Sequence, residues 1–138
     1  MKECFLSALV ALAAFAAGAD AVYLGGMRFS ARASAENLSL DDVATLRAYA
    51  DSFSPRKKIY LTVNTLVFPF EARDVCRMLA RLERIGPDAL IVQDLGLARI
   101  ARRHFPSLVL HASTQLAAHN APAVRFLAEE IGRASCRE

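Results

Sequence analysis

The most constraining feature of this sequence is a regular alternation between short apolar runs and longer amphipathic segments. The short runs are continuously apolar or β-branched, as expected for strands that are covered on both faces. We predict strands over residues 21–24, 58–64, 89–93 and 108–113, and helices over residues 40–53, 69–85, 95–105 and 121–130. A chain that alternates in this way forms a parallel sheet with helical crossovers, so the sequence predicts an α/β fold.

Two local signals support the boundaries of the predicted helices. Ser39 and Asp42 have the spacing of a capping box, which predicts a helix start at residue 40. Gly86 followed by Pro87 is typical of a helix end, because glycine adopts the left-handed conformation there and proline cannot continue the helix.

Polar side chains collect where the predicted strands end. In parallel α/β folds the loops that leave the carboxyl ends of the strands form the ligand site, so we predict a substrate pocket there. The candidate substrate-binding residues are Arg28, Ser30, Arg32, Asn37, Asn64, Gln93, Asp94, His111, Ser113, Gln115 and Asn120. Turn chemistry alone is the alternative explanation for some of these Asn, Asp and Ser residues.

The residue types at these positions suggest binding more than a specific reaction. Arg28 and Arg32 follow a glycine pair and could hold a carboxylate or a phosphate in bidentate geometry, although ordinary surface arginines are the alternative. Asp94, His111 and Ser113 are the residue types of a hydrolytic triad. However, no nucleophile-elbow motif surrounds Ser113, so the catalytic residues stay unassigned.

Charge and cysteine content set limits on the partners and the compartment. The 17 basic and 14 acidic residues leave a net charge of +3, which is too small to indicate a nucleic-acid partner by itself. The three histidines lack metal-binding spacing, and the three cysteines contain no CxxC pair. We therefore predict no metal site or cofactor within this chain, and a reducing, cytoplasmic location.

Four segments of the sequence resemble the successive strand-end motifs of the collagenase-like peptidase family U32. They are "GADAVYLGGMRFSARASAENLS", "YLTVNTLV", "GPDALIVQDLGL" and "HASTQLAAHN", in that order. The resemblance implies a TIM-barrel-like domain in which the loop of Arg28 and Arg32 binds substrate, and Asn64, Gln93 and Gln115 orient its polar groups. Other members of the family are similar to proteins that hydroxylate transfer or ribosomal RNA and hold an iron–sulfur cluster through cysteines.

The length of the chain limits how much of such a barrel it can form. A complete barrel needs about 200 to 250 residues, whereas this chain has 138. We therefore predict a partial TIM-barrel-like (β/α) repeat, about half a barrel. Because half a barrel leaves strand edges unpaired, we expect the isolated chain to be inactive and to self-associate through its open sheet edges.

The two ends of the chain depart from the family pattern. The opening "MKECFLS" lacks the strand and turn with which the family usually begins. The cluster-binding cysteines of the family lie beyond the region of resemblance, so any cluster would belong to the missing carboxyl-terminal part. Residues 131–138 back-translate into a common sequencing-adapter sequence. We therefore assign residues 1–130 to the U32-type domain and interpret 131–138 as a non-native tail.

Three interpretations of function follow. The first is an amino-terminal fragment of a U32-type peptidase of unknown catalytic type, with a polypeptide substrate. The second is part of an RNA-modifying iron–sulfur enzyme of the same family, with a transfer or ribosomal RNA substrate. The third is a small secreted binding protein, because the apolar residues 5–17 follow Lys2 as in a signal peptide at residues 1–17. That apolar stretch is too short to span a membrane, so we predict no membrane partner.

Overall fold

The computed structural model describes residues 2–25, 29–30 and 38–134, in which helices and parallel strands alternate. The helices are α1 (Lys2–Ala16), α2 (Leu40–Asp51), α3 (Ala72–Ile85), α4 (Leu95–His104) and α5 (Ala121–Glu130). The strands are β1 (Ala21–Gly25), β2 (Lys58–Val63), β3 (Ala89–Val92), β4 (Leu110–Ala112) and the short β5 (Arg133–Ala134). The predicted α/β class is confirmed.

The order of the strands in the sheet is the same as their order in the sequence. All four strand pairs are parallel, and the sheet runs β1-β2-β3-β4-β5. Crossovers of one hand between successive neighbours place every helix on the same face of the sheet. Accordingly, each helix packs against the next one along the chain. This is the arrangement of a partial β/α barrel, and it is not closed within the part of the chain that the structure describes.

The two faces of the sheet differ in burial. The face under the helices carries the core, with Ile59, Leu61 and Val63 of β2 at most 2% exposed. The opposite face carries Tyr23 of β1, which is 60% exposed, and Tyr60 of β2. In a closed barrel that second face would line the interior. The chain therefore presents the inner wall of a barrel segment.

Local signals set the ends of the helices as predicted, with small shifts. The capping box at α2 is formed, since Ser39 Oγ accepts from Asp42 N and Asp42 Oδ2 accepts from Ser39 N. Gly86 ends α3 with φ of 71°, in the left-handed region. The predicted helix start at residue 69 is a 3-10 turn, Pro69–Glu71, and α3 itself begins at Ala72.

Helix α1 is part of the folded domain. Phe15 is 1% exposed and Ala11 is 3% exposed in the core, and the Phe15 ring lies 6.2 Å from that of Phe53. Its outer side is unusually apolar, because Leu9 and Val10 are 44% and 64% exposed. This packing is that of a domain helix, whereas the secreted interpretation required residues 1–17 to be removed. Among the described helices, none has the length and apolar character needed to cross a membrane.

The fold continues slightly past residue 130. Ile131 is 4% exposed, and Arg133–Ala134 pairs with His111 and Ala112 of β4. The interpretation of residues 131–138 as a non-native tail stays a prediction, as does self-association through the sheet edges.

Candidate functional site

The candidate site lies along the carboxyl edge of the sheet, where β2, β3 and β4 end one residue earlier than predicted and β1 ends one residue later. Strand β2 ends at Val63, β3 at Val92 and β4 at Ala112. Asn64, Gln93 and Ser113 therefore stand directly after three neighbouring parallel strands. Since parallel strands end at the same edge of a sheet, the topology brings these three residues to one rim.

The loop after β1 is partly described, and its described end is held by a buried hydroxyl. Ser30 is 1% exposed, and its Oγ lies 2.9 Å from Thr62 Oγ1 of β2. Thr62 Oγ1 in turn donates to the carbonyl oxygen of Leu24 over 3.2 Å. Ser30 thus fastens the loop to the first two strands, which is a structural contact. The predicted site residues Arg28, Arg32 and Asn37 lie outside the described residues.

Asp94 organises the rim through both of its carboxylate oxygens. Oδ1 accepts from Leu97 N over 2.7 Å and caps α4, while Oδ2 accepts from Val67 N over 3.1 Å. Gly96 leaves room for this cap, because a Cβ there would lie 3.0 Å from Asp94 Oδ1. Asp94 therefore couples the start of α4 to the loop that follows β2.

The end of β4 combines a hydroxyl with an imidazole ring. Ser113 is 6% exposed, and its Oγ accepts from Gln115 N over 3.3 Å to begin a 3-10 turn, Thr114–Leu116. The His111 ring stacks on the Tyr60 ring with 5.7 Å between centroids. Asn120 caps α5, since its Oδ1 accepts from Ala123 N over 2.9 Å.

Gln93 and Gln115 are candidate residues whose side chains do not take part in the hydrogen bonding of the described fold. Gln93 is half-buried directly after β3, and Gln115 is exposed in the 3-10 turn after β4. Within the described residues, neither side-chain amide makes a hydrogen bond. Asn64 occupies the corresponding place after β2 and is also half-buried.

Aromatic residues lie on the inner face and in the loop after β2, beside the candidate site, and they were not predicted from the sequence. Tyr23 and Tyr60 stack with 4.8 Å between ring centroids, and His111 extends this row across the inner face. In the loop after β2, Phe68 and Phe70 stack at 5.6 Å and are 59% and 81% exposed. The signal available in the sequence was a group of apolar residues beyond the predicted strand end, namely Leu66, Val67, Phe68 and Phe70.

The described residues do not form a metal site. Within them, no group of three or more His, Cys, Asp or Glu side chains is close enough to hold an ion. Cys76 of α3 is a free thiol and is half-buried. These residues do not fit an iron–sulfur cluster, and we derive no chemistry through one in this chain.

The sequence itself has recognisable relatives. A model of Peptidase family U32 matches residues 8–134. The chain belongs to this family. It is 39% identical over 122 residues to the 23S rRNA 5-hydroxycytidine C2501 synthase of Escherichia coli, covering 88% of this chain and 18% of that protein. No solved structure gives a significant match.

Other U32 relatives carry different functional names. The tRNA hydroxylation protein P of Escherichia coli is 35% identical over 113 residues, covering 82% of this chain and 24% of that protein. The collagenase of Porphyromonas gingivalis is 32% identical over 117 residues, covering 83% of this chain and 27% of that protein. The chain thus spans less than a third of the length of each of these relatives.

Proposed function

We propose that this chain is part of an RNA-modifying protein of the U32 family that takes part in hydroxylating a nucleoside, and that its carboxyl rim holds the RNA. The observation that carries the proposal is the 39% identity to a 23S rRNA 5-hydroxycytidine synthase across 88% of the chain. The identity to a tRNA hydroxylation protein over 82% of the chain adds to it. This role would place the protein in the cytoplasm.

The composition of the rim suits an unpaired nucleotide. Side-chain amides such as those of Gln93 and Asn64 can donate to and accept from the edges of a base. Exposed aromatic rings offer a face on which a base can stack, and the Phe70 ring is 81% exposed beside the rim. Together, the amides and the rings supply the two kinds of contact by which proteins recognise single-stranded RNA.

The peptidase interpretation is the second candidate, and the 32% identity to a collagenase favours it. A serine peptidase would need a carboxylate that orients a base and a hydroxyl that the base activates. Both oxygens of Asp94 already accept backbone N–H groups, and Ser113 Oγ accepts from Gln115 N. We therefore favour a binding role for these residues over a hydrolytic one.

The iron–sulfur cluster implied by the family resemblance belongs, in our proposal, to the part of the protein outside this chain. The reason is that the described residues contain no suitable ligand group. Within the proposed enzyme, the residues of this chain would bind and orient the RNA.

The proposal is tested by complementation. The full-length protein that contains this chain is expressed in Escherichia coli that lacks either the 23S rRNA 5-hydroxycytidine C2501 synthase or the tRNA hydroxylation protein P. Nucleosides from both RNAs are then quantified by mass spectrometry. We expect one hydroxylated nucleoside to reappear. If neither nucleoside returns and the purified protein cleaves gelatin, the peptidase interpretation replaces this one.

A matched pair of histidine variants sharpens the test. His111→Gln removes the ring at the rim, whereas His104→Gln makes the same change at the far end of α4, where the side chain is exposed. We expect the rim variant to lower the restored nucleoside at least tenfold and the control variant to leave it unchanged. Equal activity of the two variants would contradict the placement of the RNA at the rim.

A further inference from the structure

Helices α3 and α4 concentrate positive charge on the outside of the helix layer. Their sequences contain seven arginines, namely Arg73, Arg77, Arg81, Arg84, Arg99, Arg102 and Arg103. They contain two acidic residues, Asp74 and Glu83, and thus carry a net charge of +5. The whole chain carries only +3, so the rest of it is net negative. The small total charge therefore conceals a strongly basic surface.

Four of these arginines form a line along α3, which we call the arginine line: Arg73, Arg77, Arg81 and Arg84. All four are exposed, while the opposite side of the helix buries Val75, Leu79 and Leu82 in the core. At 1.5 Å per residue, neighbours in the line are about 4.5 to 6 Å apart along the helix axis, and the whole line extends about 16.5 Å. Such spacing suits a series of charges rather than one small ion.

The arginine line is only partly neutralised by its neighbours. Arg77 pairs with Asp74 over 3.1 Å, and Arg81 pairs with Asp41 over 2.6 Å. The Arg77 side chain is 68% exposed and the Asp41 side chain 86% exposed, so both pairs can exchange readily for another anion. Arg73 and Arg84 have no ion pair to any other described residue. The arginine line can therefore still bind an added anion.

A groove lies beside the carboxyl end of the arginine line. It has a volume of about 440 Å³ and is lined by residues of α2 and α3. Its lining includes Arg81 and Arg84, while two other lining residues, Arg47 and Asp51, are already paired with each other over 2.8 Å. A bound phosphate at this end would thus meet more than one guanidinium group.

The line also connects to the candidate site. Helix α3 begins at Ala72, immediately after the loop of Phe68 and Phe70 at the carboxyl rim. Arg73 is therefore the nearest member of the line to the rim, and Arg84 is the farthest. An RNA strand that enters the rim could continue along the outside of α3.

We propose that the arginine line binds successive phosphates of the RNA backbone next to the modified nucleotide; this rests on the proposed RNA-modifying function. The guanidinium groups supply bidentate, sequence-independent contacts to phosphate oxygens. The rim then selects the nucleotide, and the arginine line fixes the position and direction of the strand. An acidic protein surface is the competing occupant, and the experiment distinguishes it.

The experiment measures binding of the full-length protein to a labelled fragment of 23S rRNA around C2501 at several salt concentrations. The test variant is Arg73→Gln together with Arg84→Gln, which breaks no ion pair among the described residues. Each lost phosphate contact lowers the slope of log K against log salt by about 0.7 to 0.9. We therefore expect a slope lower by about 1.5 and several-fold weaker binding.

Two controls accompany the test variant. Arg84→Gln alone is compared with Arg125→Gln, which removes the same charge from an exposed site on α5. We expect a reduced slope only for the α3 variant. The double variant Arg73→Lys with Arg84→Lys keeps both charges, and we expect it to keep most of the slope. Unchanged melting temperatures of these variants would confirm that the surface substitutions preserve the fold.

The outcomes separate this inference from the proposed function. Suppose that the wild-type protein restores a hydroxylated nucleoside but the Arg73/Arg84 glutamine variant keeps the full salt slope. Phosphate binding by the arginine line is then contradicted, while the proposed function is retained. If the wild-type protein neither binds the 23S rRNA fragment nor restores a hydroxylated nucleoside in either RNA, both proposals are overturned. If polyglutamate displaces the RNA as well as polyuridine does at equal charge, the line recognises acidic surfaces in general and the assignment to phosphate fails.

Discussion

The two edges of the sheet use their polar residues in different ways. At the amino edge, charged groups are satisfied by one another. Asp88, just before β3, accepts from Arg47 over 2.7 Å, from Arg56 over 2.5 Å and from Ile59 N over 2.8 Å. At the carboxyl edge, Gln93 and Gln115 make no side-chain hydrogen bond to another described residue. The amino edge uses its charged groups within the fold, whereas the carboxyl edge keeps two side-chain amides that form no hydrogen bond within the described residues.

This difference follows the division of labour in β/α barrels, where the carboxyl face carries function and the amino face carries stability. The Arg47 side chain is buried in the structural network at the amino edge, and not all of its polar atoms are paired. It is 6% exposed and also binds the carbonyl oxygen of Lys57 over 2.7 Å, yet its Nε has no partner in the described structure. A buried guanidinium of this kind is tolerated only while its carboxylate partners stay charged.

The largest effect on stability is expected from breaking the amino-edge network. Asp88→Asn removes one of the two carboxylate charges that compensate the buried Arg47, the other being that of Asp51 at 2.8 Å, and we expect the free energy of unfolding to fall by about 3 kcal/mol. Urea denaturation followed by circular dichroism measures this. Asp41→Asn is the control, because its exposed pair with Arg81 should contribute no more than about 1 kcal/mol. Equal losses for the two variants would contradict the assigned role of Asp88.

The same substitution has a predictable pH dependence. Burial alone would raise the pKa of Asp88. The hydrogen bond from the Ile59 N–H and the guanidinium groups of Arg56 and Arg47 have the larger combined effect, so the pKa lies below its usual value. A carboxyl whose pKa is lowered on folding stabilises the protein above its unfolded pKa of about 3.9. The contribution is lost as the pH falls through the folded pKa. The stability difference between wild type and Asp88→Asn should therefore be constant near pH 6 and shrink below about pH 4.

An intermediate effect is expected at Asp94, which belongs to the carboxyl edge but serves the fold. Asp94→Ala removes a helix cap and the bond to Val67 N, so we expect a loss of about 2 kcal/mol. Asp94→Asn keeps one acceptor oxygen and should lose less. Asn120→Ala removes only a cap and is the control, with a loss of about 1 kcal/mol. The measurement is urea denaturation, and an Asp94→Ala loss no greater than that of Asn120→Ala would show that the Val67 contact adds nothing.

Much of the fold was predictable because its signals are local. Ser39 with Asp42 and Gly86 with Pro87 act within one helical turn, and the structure places the helix ends beside them. The strands were also predictable, since the strands of a parallel sheet read as nearly continuous apolar runs. The predicted ends of β2, β3 and β4 were one residue too late. The reason is that Asn64, Gln93 and Ser113 follow the apolar runs directly and were included in them.

The contacts that connect distant segments could not be read from the sequence. Arg47 reaches Asp88 across 41 positions, and Ser30 reaches Thr62 across 32. Such pairs depend on how the helices pack on the sheet, which no local pattern specifies. The arginines of α3 were missed for a different reason, since the net charge of +3 averages a basic surface with acidic ones. The net charge of each surface, and not that of the whole chain, reveals the basic region.

The smallest effect on stability, combined with a large effect on function, is expected at Gln93. Its side chain is half-buried at the rim and makes no hydrogen bond within the described residues, so Gln93→Ala should change the free energy of unfolding by no more than about 0.5 kcal/mol. We expect the hydroxylated nucleoside restored by complementation to fall at least tenfold, because the amide would no longer orient the base. Asp88→Asn should show the reverse, with lower stability but retained product at low temperature. If Gln93→Ala instead destabilised the protein as much as Asp88→Asn, both edges would be structural, and the RNA would have to bind elsewhere.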